Sequence, residues 1–223
     1  MDVIEAILSR RSARAFLSTP VAKETIAEIL DLSARAPSGT NMQPWKVYVV
    51  TGGVKEALTQ ETLHCRETEN EAHVPEYKYY PDEWDEPYLS RRKKIGLDLY
   101  SILGLTRENR EGMRAQQGRN YEFFGAPVGL FFTIDKHLEI GSWLDYGMFI
   151  ENVMLVARAK GLHSCPQAAW PSYHRIVRKH LHISQDEAII CGMSLGYLDE
   201  DAPENRLETE RAPASEFTKF IGF

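Results

Sequence analysis

Few cysteines, no long apolar run and no surplus of positive charge mark this sequence. Its 223 residues hold 3 cysteines, Cys65, Cys165 and Cys191. An odd, small set without C-x-x-C spacing is no disulfide framework and suits a reducing compartment, so a cytoplasmic location is expected. Cys165 and Cys191 stand among apolar residues and read as core thiols rather than nucleophiles. No stretch reaches the roughly 18 uncharged apolar residues of a membrane span. The first eight residues carry Asp2 and Glu5 inside their apolar stretch and read as a helix start, not a signal peptide. No membrane partner is expected. The formal net charge of −6 argues against a nucleic-acid partner.

Several catalytic signatures are missing as well. There is no G-x-G-x-x-G fingerprint and no Walker loop, which excludes a dedicated dinucleotide domain of the usual kind. No G-x-S-x-G or Cys/His pattern points to acyl transfer. His174, His180 and His182 lie in a basic segment without the spacing of a zinc site and read as surface histidines. Asp82, Glu83, Asp85 and Glu86 read as a solvated acidic loop. Neither an internal repeat nor a low-complexity tract is present. The 43% hydrophobic and 26% charged residues are those of an ordinary globular protein, and the length suits one domain spanning 1–223.

What is present is concentrated near the start. Arg10-Arg11-Ser12-Ala13-Arg14 crowds three guanidinium groups and a hydroxyl into five residues. Planar guanidinium forks pair with phosphate oxygens, and a hydroxyl adds a donor. Further on, Pro37-Ser38-Gly39-Thr40-Asn41-Met42-Gln43-Pro44-Trp45 is a polar turn leading into the β-rich stretch Lys46 to Val50. Its Ser, Asn and Gln side chains offer neutral donors and acceptors for the edge of a heteroaromatic ring. Alone, a double arginine is usually a solvated patch and a Pro-Ser-Gly turn usually only ends a helix. Together they suit a ligand with an anionic end and a polar planar end.

The pattern along the chain supplies the elements. Asp2 caps a first helix whose Val3, Ile4, Ile7 and Leu8 form an apolar stripe. Thr19-Pro20 opens a second, with Ile26, Ile29, Leu30 and Ala34 on its buried face. Residues 66–90 are irregular and rich in Tyr, Trp and acidic residues. They form an excursion that packs on the body and borders the pocket, or else a surface or dimer-facing loop. Helices are expected over 89–103 and 107–119, a buried strand over 128–134, and a long, mostly buried helix over 143–160 capped by Gly161. A short basic helix over 172–180 and a strand over 188–197 follow. The small Gly192, Ser194 and Gly196 of that strand permit close backbone approach. Strands separated by helices allow either α+β or α/β.

The two N-terminal segments resemble the nitroreductase family of FMN-dependent oxidoreductases. That family opens with Arg-Ser-x-Arg, then a helix, then Pro-Ser-x-x-Asn-x-Gln-Pro-Trp before its first strand. Arg11, Ser12 and Arg14, and then Pro37, Ser38, Asn41, Gln43, Pro44 and Trp45, match it. The resemblance implies an α+β fold with a central mixed, mainly antiparallel sheet flanked by helices, in an intertwined homodimer. Residues 198–223 would form an arm that adds a strand to the partner's sheet, which fits the aromatic ending Phe217, Phe220, Ile221 and Phe223.

It also implies bound FMN as cofactor, with NAD(P)H as electron donor. Arg10, Arg11, Ser12, Arg14 and Arg206 would hold the phosphate. Pro37, Ser38, Gly39, Asn41 and Gln43 would place the ring. Pro166, Gln167, Ala168 and Ala169 would pass beside flavin N5 with backbone donors. Some members carry a lysine where this chain has Glu204. The implied activity is ping-pong hydride transfer that reduces nitroaromatics, quinones or related electron-poor substrates, with no catalytic side chain named. Same-fold reductive dehalogenation is one alternative, and a flavin-free anion- or nucleic-acid-binding protein is another.

Overall fold

The computed structural model describes residues 1–69 and 72–223. Its centre is a sheet of four strands in the order β1-β2-β4-β3, comprising β1 (Lys46–Val50), β2 (Val128–Asp135), β3 (His163–Gln167) and β4 (Glu187–Gly196). Every pairing is antiparallel. The mixed sheet expected from the resemblance is therefore wholly antiparallel among the described residues. The parallel contact is an isolated bridge, Ser12 to Ser164. β2 lies in the middle, and its near-continuous apolar run is buried on both faces, as such runs are.

One face carries Leu130, Phe132, Ile134, Met193 and Leu195. It is covered by α2 (Lys23–Ser33) and the long α6 (Ile140–Ala159). Gly161, with φ +77, ends α6 in the left-handed cap expected of Lys-Gly-Leu. On the other face Phe131 and Ile189 meet Phe123, Trp170 and Tyr173, beneath α3 (Gly52–Thr68) and α7 (His174–Leu181). A Cβ on Gly192 would stand 2.2 Å from the Trp170 ring, so the small residues of β4 serve the close approach expected of them. The remaining helices are α1 (Val3–Ser9), α4 (Tyr88–Ile102), α5 (Arg110–Gly118) and α8 (Ala214–Phe217).

Several expectations change. α2 begins at Lys23 with Ala22 as cap, three residues beyond Pro20. The approach to it is drawn toward the sheet, where Leu17 N–H donates to the Tyr197 carbonyl at 2.9 Å and Phe16 bridges Leu198. Asp2 does cap α1, accepting from Glu5 N–H at 2.8 Å. The apolar stripe of that helix, however, is uncovered: Val3, Ile4, Ile7 and Leu8 are all exposed and only Ala6 is buried. Ile140 and Leu144 of α6 are exposed too. His180 and His174 are half-buried partners of Glu61 and Glu76 rather than free surface groups. Among the described residues no helix is long and apolar enough to cross a membrane.

Candidate active site

The arginine segment is fixed by its backbone. After α1 the chain extends, Ser12 bridges Ser164 of β3, and Ala13 N–H donates to the Ser164 carbonyl at 3.1 Å. Extended chain alternates its side chains. Ala13 and Ala15 therefore point into the core and are buried, while Ser12 and Arg14 face outward and are half-buried. Asn205 locks this arrangement from the far end of the chain. Its side-chain oxygen accepts from Arg14 N–H at 2.8 Å, and its amide donates to the Ala15 and Asp199 carbonyls at 2.8 and 2.7 Å. Its own carbonyl accepts from Arg11 Nη1 at 2.9 Å. Asn205 is almost fully buried.

Arg10, Arg11, Ser12 and Arg14 line one cavity of about 510 Å³. The opposite wall is α4, through Arg91, Lys94, Ile95 and Asp98, closed by the C-terminal segment around Leu207 and Arg211. Arg91 and Lys94 of the basic run Arg91-Arg92-Lys93-Lys94 thus face the arginine segment across the cavity. Their charges are not equally spent. Lys94 pairs with Asp98 at 2.7 Å, Arg91 with Glu216 at 3.5 Å, and Arg10 with Glu151 at 3.7 Å. Arg11 and Arg14 meet only backbone carbonyls, those of Asn205 and Ser12, and no carboxylate among the described residues. Two guanidinium charges left without a counter-charge beside a hydroxyl are a donor set for an anion such as phosphate.

Arg206 lies elsewhere. It borders a neighbouring depression of about 440 Å³ together with Arg11 and donates to the Asp201 carbonyl at 3.3 Å. Glu204 is buried and bonded to Arg119, so the acidic residue that replaces a family lysine has its own internal cation.

The polar turn sits on α6. Gly39 N–H donates to Asp145 Oδ2 at 3.0 Å, and Ser38 Oγ accepts from Gln43 N–H at 3.0 Å. Thr40, Asn41 and Gln43 have φ of 51, 59 and 51, in the left-handed region that non-glycine residues rarely occupy. Backbone strain of this kind collects where a ligand is held. Gly39, Asn41 and Gln43 are exposed, and none of Pro37, Ser38, Gly39, Asn41 or Gln43 lines the cavities named here.

The β3 stretch divides by side chain. Pro166 is exposed, and Ala168 and Ala169 are half-buried where the strand ends. Gln167 is buried, and the fold consumes its amide. Nε2 donates to the Asn120 carbonyl at 2.5 Å, while Oε1 accepts from Trp170 Nε1 at 3.3 Å and Ser194 Oγ at 3.1 Å. Only its backbone is available to a ligand. Ala169 lines a second cavity of about 1170 Å³ with Arg66, Glu69, Asn120 and Tyr121 among others. Burial pushes the Cys165 thiol up to about 11, consistent with a core thiol.

The Ser12–Ser164 bridge therefore puts the anion donors beside β3, two residues ahead of Pro166. The polar turn stands apart, on a surface that one chain leaves open. Sequence reasoning missed Asn205, Asp145 and the pocket-facing role of Arg91 and Lys94. The basic run at 91–94 was the one visible signal.

A model of the nitroreductase family matches residues 7–197. A 4-nitrobenzoate reductase of Pseudomonas putida is 40% identical over 222 residues, covering 100% of this chain and 96% of its own length. The crystal structure of the FMN- and NADPH-dependent nitroreductase NfnB from Sphigopyxis sp. strain HMH superposes with a TM-score of 0.97 at 38% identity, over 100% of both chains. The FMN-dependent nitroreductase NfnB from Mycobacterium smegmatis, solved in complex with NADPH, gives 0.93 at 30% identity, over 98% of this chain and 97% of its own. On the family-model match over residues 7–197 and these similarities along its whole length, the chain belongs to the nitroreductase family.

Proposed function

We propose that this chain is an FMN-dependent, NADPH-using nitroreductase acting on nitroaromatic compounds, and that its working unit is a homodimer. One observation carries the cofactor reading: Arg11 and Arg14 reach the cavity without a carboxylate partner, anchored to the strand whose end bears Ala168 and Ala169. An anion bound there cancels charge that the fold leaves open. When bound, FMN supplies the two-electron exchange between nicotinamide and an electron-poor substrate.

The chain's own residues have separate parts. Arg10, Arg11, Ser12 and Arg14 bind the phosphate, with Arg206 at the margin. Backbone N–H groups at Ala168 and Ala169 would hold the ring, and their small side chains would leave that side open to substrate. Ser38, Asn41 and Gln43 supply the polar ring contacts. Asn41's side chain makes no hydrogen bond among the described residues, and the turn is exposed, so a second subunit completes the site. The uncovered apolar residues support the same assembly. Val3, Ile4 and Leu8 of α1, Leu144 of α6, and Phe220 and Phe223 of the tail all stand exposed. The arm over 198–223 is the segment that reaches the partner.

The relatives that reduce 4-nitrobenzoate and use NADPH set the first substrate and donor to try. The test is the visible spectrum of the purified protein under nitrogen, before and after NADPH, followed by 4-nitrobenzoate. Flavin bands that bleach with NADPH and return with the nitroaromatic are expected. A protein that stays colourless after incubation with FMN overturns the reading. Bands that bleach only with dithionite move it toward dehalogenase-like chemistry.

A further inference from the structure

We propose that Cys65, Glu69 and His73 form a binding site for a thiophilic divalent cation of the Zn²⁺ type, at the junction of α3 with the excursion. It adjoins the cavity that Ala169 lines, and its test does not rely on turnover. One ligand atom from each of the three residues lies within 4.8 Å of the others. Cys65 and Glu69 stand one helical turn apart, so they share a face where α3 ends. Glu69 N–H donates to the Cys65 carbonyl at 2.7 Å, and Ala72 N–H to the Glu69 carbonyl at 3.0 Å. That second bond ties the residue before His73 to Glu69.

Two further observations point to a ligand. The His73 Nδ1 atom is buried and has no hydrogen-bond partner, although its ring is held in place by stacking on Tyr173 with centroids 4.8 Å apart. A buried ring nitrogen without a partner is costly unless something coordinates it. The surrounding acids are also accounted for, except one. Glu61 pairs with Lys179 and His180 at 2.8 and 2.7 Å, and Glu67 with Arg66 and Arg114 at 3.2 and 2.8 Å. Glu69 alone of these has no cationic partner among the described residues.

A thiolate, an imidazole nitrogen and a carboxylate form a donor set for zinc with a fourth position left for water. Calcium and magnesium require oxygen ligands and are excluded by the sulfur and nitrogen. The occupied site would tie the end of α3 to the excursion at the rim of the cavity that Glu69, Ala72 and Ala169 share.

The experiment uses the flavin-loaded protein after dialysis against a chelator, titrated with Zn²⁺ by calorimetry. Co²⁺ is then added, and its d–d bands are read at wavelengths longer than the flavin absorbs. One equivalent of Zn²⁺ with release of protons, and tetrahedral cobalt bands, are expected. Cys65→Ser and His73→Ala should each weaken binding by at least the roughly 10–100-fold that an outer-shell partner is worth. X-ray absorption at the zinc edge should show one sulfur neighbour in the parent protein and none in Cys65→Ser. A melting temperature of the metal-free variants close to that of the metal-free parent shows that they fold. Binding without saturation at one equivalent, or binding that both substitutions leave unchanged, overturns the proposal and assigns the metal to surface histidines.

Discussion

The arginine segment at residues 10–14 and residues 72–87 of the excursion expected over 66–90 both crowd charge against the same core, yet their charges end differently. In the excursion the buried-side charges are balanced. Glu76 meets Lys136 at 2.6 Å, Arg178 at 2.8 Å and His174 at 3.5 Å. Its aromatics are placed as well, with Tyr77 donating to the Ile190 carbonyl at 2.7 Å and lying edge-on to Trp143. In the arginine segment the backbone is equally fixed, but Arg11 and Arg14 find only carbonyl oxygens. Fixed geometry with a balanced charge is structure. Fixed geometry with an unbalanced charge is a candidate binding site for an anion.

The sharpest way to break that contrast is to remove the unbalanced charges. In the double variant Arg11→Ala/Arg14→Ala, two charge-assisted contacts to phosphate go, each contributing about 1.5–3 kcal/mol. FMN affinity should fall roughly a hundredfold to ten-thousandfold, at about 1.4 kcal/mol per factor of ten. Flavin fluorescence quenching measures it. The apoprotein should lose no more than about 2 kcal/mol in urea, because each arginine makes one internal hydrogen bond. Unchanged FMN affinity would show that the phosphate lies elsewhere.

Arg178→Met is the converse experiment. Arg178 is almost fully buried and donates to Glu76 Oε2 and to the Glu187 carbonyl at 2.9 Å. Removing one partner of a buried pair costs about 3–5 kcal/mol, and a urea midpoint will read it. FMN affinity of the folded variant should hold. Adding Glu76→Gln should return part of the loss, since the stranded carboxylate is then gone. A loss below about 1 kcal/mol would mean that the aromatics, not the ion pairs, hold the excursion.

The same contrast explains what could be read from the chain alone. The arginine cluster, the polar turn, the Gly161 cap and the buried β2 run were legible because each is a local pattern. Asn205 was not, because three of its four partnerships join residues 190 to 194 positions apart and leave no trace in its neighbours. Gln167 looked like a flavin neighbour by motif, and only the fold shows its amide spent on Asn120, Trp170 and Ser194. The stripe of α1 read correctly as apolar, but the fold of one chain leaves it exposed. Composition reveals a cluster of charge. Whether that charge is balanced is a three-dimensional property.

His163 allows the imbalance to be measured without any flavin. Its ring is nearly buried beside Arg158, 3.4 Å from Nδ1, with Arg11 also close enough to act on it. Burial first, then these two cations, push its pKa down to about 4 from 6.5. Between those values the unfolded chain binds more protons than the folded one, so stability rises with pH across the window. Conversely, it is lost as pH falls from about 6.5 and is fully lost below about 4, at most about 3 kcal/mol for this shift at roughly 1.36 kcal/mol per unit. Urea midpoints from pH 7 to 4 should show this slope, and His163→Gln should flatten it. Sulfate keeps its charge over this range, so an anion seated on the arginine segment would ease protonation of His163. Replacing chloride with sulfate at equal ionic strength should therefore make the parent's slope shallower and leave that of His163→Gln alone. An identical slope in both salts would show that no anion gathers at Arg11, and the contrast between the two regions would lose its electrostatic basis.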